Sequence, residues 1–156
     1  MNKILSAILA LCMIVSVTAC SSGNESSVPE EVKGSEDRTM REMTTQELIE
    51  DMGLGINLGN TFESCGNWIN KSSVTNYETA WGSPVITEQM IKGYKDCGFG
   101  VMRLPVAWSN MMDKETYTIN PDYMARVKEV LNWAFDSDLY VILNIHYDNG
   151  WFSGFA

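Results

Sequence analysis

Between residues 53 and 145 the hydrophobic period switches back and forth between strand-like and helix-like, and this alternation restricts the possible folds more than any other feature. Gly53 to Leu58 (GLGINL) reads as a short buried strand closed by Gly59 and Asn60. Thr87 caps a helix with Met90, Ile91, Tyr94 and Cys97 on its inner face, and Gly98 stops it. Phe99 to Leu104 (FGVMRL) is the second strand, with Pro105 marking its end. Asn120-Pro121 is an N-cap followed by proline at the first helical position. Behind it Met124, Val127, Leu131 and Ala134 recur at helical spacing, flanked by Val130 and Phe135. Tyr140 to Ile145 (YVILNI) is apolar on both faces and predicts a fully buried strand. Ahead of the series, Thr44-Thr45-Gln46-Glu47 matches a capping box, and Leu48, Ile49 and Met52 give a short helix one apolar face.

Strand, helix, strand, helix, strand predicts parallel strands joined by right-handed crossovers. A doubly wound sheet and a (β/α)8 barrel both begin in this way. No Gly-rich phosphate loop follows the first strand, and the connection from Thr61 to Ile86 is too long for a dinucleotide fingerprint. Long loops after strand C-termini suit a barrel, where such loops build the site. The expected fold class is therefore α/β, the N-terminal portion of a (β/α)8 TIM barrel. A whole barrel takes about 250 residues. Residues 43–156 hold less than half of that, so about three β/α units are expected, truncated after the third strand.

The first residues have another character. Lys3 precedes an apolar run from Ile4 to Val17, which ends in Val17-Thr18-Ala19-Cys20. This layout predicts a lipoprotein signal peptide over residues 1–20, with Cys20 as the lipidation site and the bacterial cell membrane as the anchor. The alternative is an ordinary secretory signal. Residues 21–42, rich in Ser, Gly, Pro and Glu, read as a flexible linker. Residues 43–156 form the globular part. With 20 acidic against 11 basic side chains and a net charge of −9, the chain lacks the clustered cations that nucleic-acid binding needs. Cys65 and Cys97 remain after the leader; their pairing does not follow from the sequence. One histidine and no close cysteine spacing make a zinc site unexpected.

Polar side chains gather where the strands end. Asn57, Asn60 and Thr61 close the first strand, Arg103 lies near the end of the second, and Asn144, His146, Tyr147 and Asp148 close the third. Groups costly to bury, collected at one rim, mark a site there. Trp81, Trp108 and Trp151 stand in the adjoining loops, and flat aromatic faces suit the apolar side of a sugar ring.

The stretches GINLGNTFE, ETAWGSP, GFGVMRLPVAW and MARVKEVLNWAFDSDLYVILNIHYDNGW occur in order and at natural spacing. Together they resemble glycoside hydrolase family 5, and its fourth subfamily in particular, from Met43 to Phe155. The resemblance implies a (β/α)8 barrel that cleaves β-1,4-linked glucans such as cellulose, xyloglucan or mixed-linkage glucan by a retaining double displacement. No cofactor or metal is implied. It gives Arg103 the role of holding the nucleophilic glutamate and His146 that of contacting the sugar beside the scissile bond. It makes Asn60, Tyr147, Trp81 and Trp151 candidate substrate-binding residues. Asn60 serves equally well as a turn fastener, and Trp151 as a loop anchor. The family usually has a second histidine where this chain has Tyr147, which changes the innermost sugar contacts. Retaining hydrolysis needs two carboxyl groups about 5–5.5 Å apart, and the family's pair follows the fourth and seventh strands. No glutamate stands at a strand end here: Glu47, Glu50, Glu88 and Glu129 read as helical, and Glu63 and Glu78 fall in the first loop. The sequence as it stands is therefore expected to be inactive. Two rivals remain: a cell-surface glycan-binding protein on a degenerate barrel, and an unrelated barrel enzyme.

Overall fold

A computed structural model describes residues 41–146. Residues 1–40, which hold the expected signal segment, Cys20 and most of the expected linker, lie outside the described residues, as do Tyr147, Asp148 and Trp151.

The expected elements appear in the expected order, together with a short helix and a 3-10 turn in stretches expected to be loop. Helix α1 (Thr45–Met52) leads to β1 (Leu54–Asn57), a short α2 (Thr75–Thr79), α3 (Glu88–Asp96), β2 (Phe99–Val106), a 3-10 turn (Trp108–Met111), α4 (Pro121–Asp136) and β3 (Tyr140–Ile145). The strands form one parallel sheet in the order β1-β2-β3, with Asn57 opposite Arg103 and Pro105 opposite Asn144. Three consecutive parallel strands with α3 and α4 packed on one face are units of a (β/α) barrel. Among the described residues the sheet is open and holds three strands.

Local chemistry explains the boundaries. The Thr44 side chain accepts from the Glu47 N–H at 3.3 Å, while the Thr44 N–H donates to Glu47 Oε2 at 2.6 Å, the reciprocal capping box. Thr87 and Asn120 cap α3 and α4 through their side chains. Gly98 ends α3 at φ +89°, a conformation strained for any residue with a Cβ. The core lies between the sheet and α3/α4: Met102, Leu104 and Val106 of β2 meet Ile91 of α3 and Val127, Val130, Leu131 and Ala134 of α4.

Several expectations need correcting. Strand β2 does not end at Pro105 but runs through it to Val106. Arg103 C=O accepts from the Leu58 N–H at 2.9 Å, so odd-numbered residues of β2 turn their backbone toward β1. By residue 105 β1 has already left the sheet, so the N–H that proline lacks has no ladder partner to miss. Strand β3 is not fully buried: Ile142, Leu143 and Ile145 are 47%, 43% and 58% exposed. It pairs only with β2 among the described residues, and α4 covers only its beginning. Cys97 is exposed rather than part of the inner face of α3, and Cys65 is buried; neither is in a disulfide. Helix α1 has no fully buried residue, and Ile49 is exposed. The first strand is shorter than expected and only half-buried at Ile56, with Leu58 reaching the core just beyond it.

The loop from Thr61 to Ile86 is no surface excursion. Phe62, Tyr77 and Ile86 are fully buried, and Tyr123 of α4 is their hub. Phe62, Tyr77 and Trp108 all meet the Tyr123 ring edge-on, at centroid distances of 5.9, 6.1 and 6.3 Å. The Tyr123 hydroxyl donates to Phe62 C=O at 2.8 Å, and Asn110 Nδ2 donates to Ser64 C=O at 2.8 Å. Burial pushes the Tyr123 phenol far above its ordinary range, so it serves as a permanent donor. Glu78, fully buried on α2, accepts from Arg126 Nε at 2.8 Å, Arg126 Nη2 at 3.0 Å and the Ile86 N–H at 2.7 Å. That ion pair ties the loop to α4.

Candidate active site

Alternation along the strands sorts the side chains. Met102, Leu104 and Val106 point to the helices, so Val101, Arg103 and Pro105 point to the opposite, inner face. By register Asn57 and Asn144 share that face, and His146 follows Asn144 by two residues. Lower on the same face, Gly55, Asn57, Val101, Arg103 and Ile142 line an open depression of about 250 Å³.

At the C-terminal end of the sheet these groups meet. Arg103 Nη1 donates to Asn57 Oδ1 at 2.6 Å, and Arg103 Nη2 lies 3.3 Å from His146 Nδ1. Asn144 Nδ2 approaches the same nitrogen at 3.5 Å and donates to Ile145 C=O at 3.0 Å. Arg103 and His146, forty-three residues apart in the sequence, are therefore neighbours at one end of the sheet. Asn144 Oδ1 is buried and has no hydrogen-bond partner among the described residues.

The remaining expected residues divide. Asn60 follows β1 with φ +60°, a left-handed conformation that asparagine tolerates better than most residues, and its N–H donates to Glu63 Oε1 at 2.5 Å. Its turn-fastening role is visible; its side chain stands exposed at the rim. Trp81 is 42% exposed, and nearby Ser83 Oγ reaches Gly59 C=O at 3.5 Å, which draws the Trp81 segment toward the end of β1. Trp108 packs on Tyr123, as a core residue does. Among the described residues, no three His, Cys, Asp or Glu side chains gather closely enough to hold a metal ion, and no helix is long and apolar enough to cross a membrane.

Sequence reasoning missed Asn57 as the residue that meets Arg103, and it left Glu63 and Glu78 without structural work. Glu63 accepts from the Asn60 and Thr61 N–H groups and is buried. A signal for Asn57 was present: alternation and register place it beside Arg103 once the strands are known to be parallel. None existed for the Glu78–Arg126 pair, whose partners are 48 residues apart.

Parallel β/α units whose polar residues converge beyond the strand C-termini define a barrel protein with its site at that rim. The family model of cellulases (glycosyl hydrolase family 5) matches residues 62–155, and the chain belongs to that family. Endoglucanase B of Clostridium cellulovorans is 38% identical over 113 residues, covering 72% of this chain and 23% of that protein. A xyloglucan-specific endo-β-1,4-glucanase of Bacteroides ovatus is 41% identical over 115 residues, covering 72% and 22%. Among solved structures, a GH5-4 broad specificity endoglucanase from Ruminococcus champanellensis with bound cellotriose superposes with a TM-score of 0.66 at 39% identity, covering 72% of this chain and 33% of that one. The chain thus spans about a quarter of the length of the curated relatives it matches.

Proposed function

We propose that this chain supplies the first β/α units of an exported endo-β-1,4-glucanase, and that its inner rim holds one side of the sugar-cleaving centre. The observation that carries this reading is the cluster of Arg103, Asn57 and His146 at the C-terminal end of three parallel strands. A guanidinium there suits a carboxylate that must stay ionised and oriented until it attacks an anomeric carbon. Retaining hydrolysis then runs through a glycosyl-enzyme intermediate that water releases, with one carboxyl group acting first as acid and then as base. No glutamate among the described residues occupies the inner rim; Glu63 and Glu78 are committed to backbone and arginine partners. Residues 41–146 taken alone are therefore inactive in this reading, and both catalytic carboxylates come from elsewhere in the complete protein.

His146 supports a defined contact. Arginine has only donors, so the His146 Nδ1 beside it accepts, and the ring proton is assigned to Nε2. Nε2–H, which meets no hydrogen-bond partner among the described residues, is then a donor for a sugar hydroxyl. Asn60 and Trp81 flank the cleft from the first loop, and Tyr147 and Trp151 are proposed to line it from beyond β3. The substrate is a β-glucan, for which the related endoglucanases give the class. The membrane is met only through lipid on Cys20.

The test is hydrolysis of soluble β-glucans by the complete protein and by its Arg103→Lys variant. Loss of the planar fork should lower kcat by roughly 10²-fold, with KM little changed. An active wild type whose Arg103→Lys variant turns over normally would remove Arg103 from the centre. A wild type that binds glucan without cleaving it would favour a glycan-binding protein.

A further inference from the structure

We propose that Asn57 is a positioning residue: gripped by the turn that follows β1, its amide aims Arg103 and through it fixes the tautomer of His146. The proposal rests on the reading that Arg103 faces the reacting carboxylate.

Arginine is a long side chain, and an unheld guanidinium samples many rotamers. Here Asn57 Oδ1 receives Nη1 at 2.6 Å, directly across the β1–β2 ladder. Because the guanidinium only donates, the amide oxygen must face it, which turns Asn57 Nδ2 toward Gly59. A Cβ at Gly59 would collide with Asn57 Nδ2 and come within 3.2 Å of Glu63 Oε1. Glycine alone leaves the amide room. The turn is itself held, since the buried Glu63 carboxylate accepts from the Asn60 N–H at 2.5 Å and the Thr61 N–H at 2.9 Å, and Thr61 Oγ1 donates to Leu58 C=O at 3.0 Å. With Nη1 fixed by Asn57, the guanidinium plane presents Nη2 to His146 Nδ1 at 3.3 Å, and Asn144 Nδ2 brings a second donor to the same nitrogen. Two donors against one lone pair keep the proton on Nε2. A chain of contacts thus runs from the first-loop turn to the sugar-facing nitrogen of His146.

The experiment compares wild type, Asn57→Leu, Asn57→Asp and Gly59→Ala in the complete protein, with two readouts. Imidazole 15N shifts, assigned to His146 by their loss in His146→Gln, report the tautomer whether or not the protein is active. Wild type should show the Nε2–H form, Asn57→Leu and Gly59→Ala a mixture of tautomers, and Asn57→Asp, which retains the acceptor, a smaller departure than Asn57→Leu. On β-glucan, Asn57→Leu should lose at least roughly tenfold in kcat with KM changed about twofold or less, and Asn57→Asp should recover part of that loss. If Asn57→Leu does not fold, Gly59→Ala carries the same expectation with Asn57 in place. Wild-type shifts in folded Asn57→Leu or Gly59→Ala would overturn the proposal. A wild type without glucanase activity would sink the functional reading, and the imidazole spectra would still decide this one.

Discussion

Removing Arg126 tests whether the first loop is held by charge or by packing. Glu78 is fully buried and accepts three hydrogen bonds, two of them from Arg126. Arg126 Nη2 also donates to Ile86 C=O at 2.7 Å, and its guanidinium lies 5.1 Å from the centre of the Trp133 ring. Arg126→Met keeps most of the aliphatic bulk but leaves Glu78 a buried carboxylate with the Ile86 N–H as its surviving partner. Breaking a buried pair in this way costs about 3–5 kcal/mol. The Arg126 side chain is 16% exposed, which admits some screening and favours the lower end of that range. At about 1.4 kcal/mol per factor of ten, a cost near 3 kcal/mol raises the open-loop population about a hundredfold. Hydrogen exchange at the Ile86 amide, read by mass spectrometry under conditions where reclosing outpaces the exchange step, measures that population directly. Glu78→Gln/Arg126→Met should recover most of the loss, because a neutral amide oxygen still accepts from Ile86 and no buried charge remains. Exchange at Ile86 unchanged in Arg126→Met would refute the reasoning. A double variant as damaged as the single one would assign the effect to packing.

Three further outcomes are expected. Gly100→Ala should strongly destabilise the packing of α1 on the sheet, since a Cβ there runs into the Met52 carbonyl; a melting temperature equal to wild type would contradict the close approach. Tyr123→Phe should cost about 1 kcal/mol, because Phe62 C=O loses its 2.8 Å donor while keeping the Ala107 N–H at 3.1 Å and a 3.4 Å contact from Asn110, and urea denaturation reads it. The Thr44 N–H and hydroxyl hold the Glu47 carboxyl below its ordinary value. The capping box therefore stabilises α1 above the unfolded-state pKa and weakens as pH falls through the lower folded value. An NMR titration should show the Glu47 midpoint rising part of the way in Thr44→Ala, which removes the hydroxyl and keeps the N–H, and an unchanged midpoint would leave the backbone N–H as the whole cause.

Local signals were enough to read the order of the three strands with α1, α3 and α4, the three N-caps at Thr44, Thr87 and Asn120, and the polar residues after the strands, though not the short α2 or the 3-10 turn, because caps and apolar spacing are local properties of the chain. The pairing of Arg103 with His146 followed from the same rule, since both stand at the ends of parallel strands. What the sequence could not hold was anything that depends on which neighbours arrive. Pro105 reads locally as a strand stop, yet it sits inside β2 because β1 has already turned away at Leu58. YVILNI reads as buried on both faces, yet burial is a property of the covering elements, and β3 has a strand on one side only among the described residues. Glu63, Glu78 and Tyr123 look like loop carboxylates and one more aromatic until Asn60, Arg126 and Phe62 are brought against them. Local preference chose the helices and strands; only the packed chain decided which polar groups staple the scaffold and which are left facing the cleft.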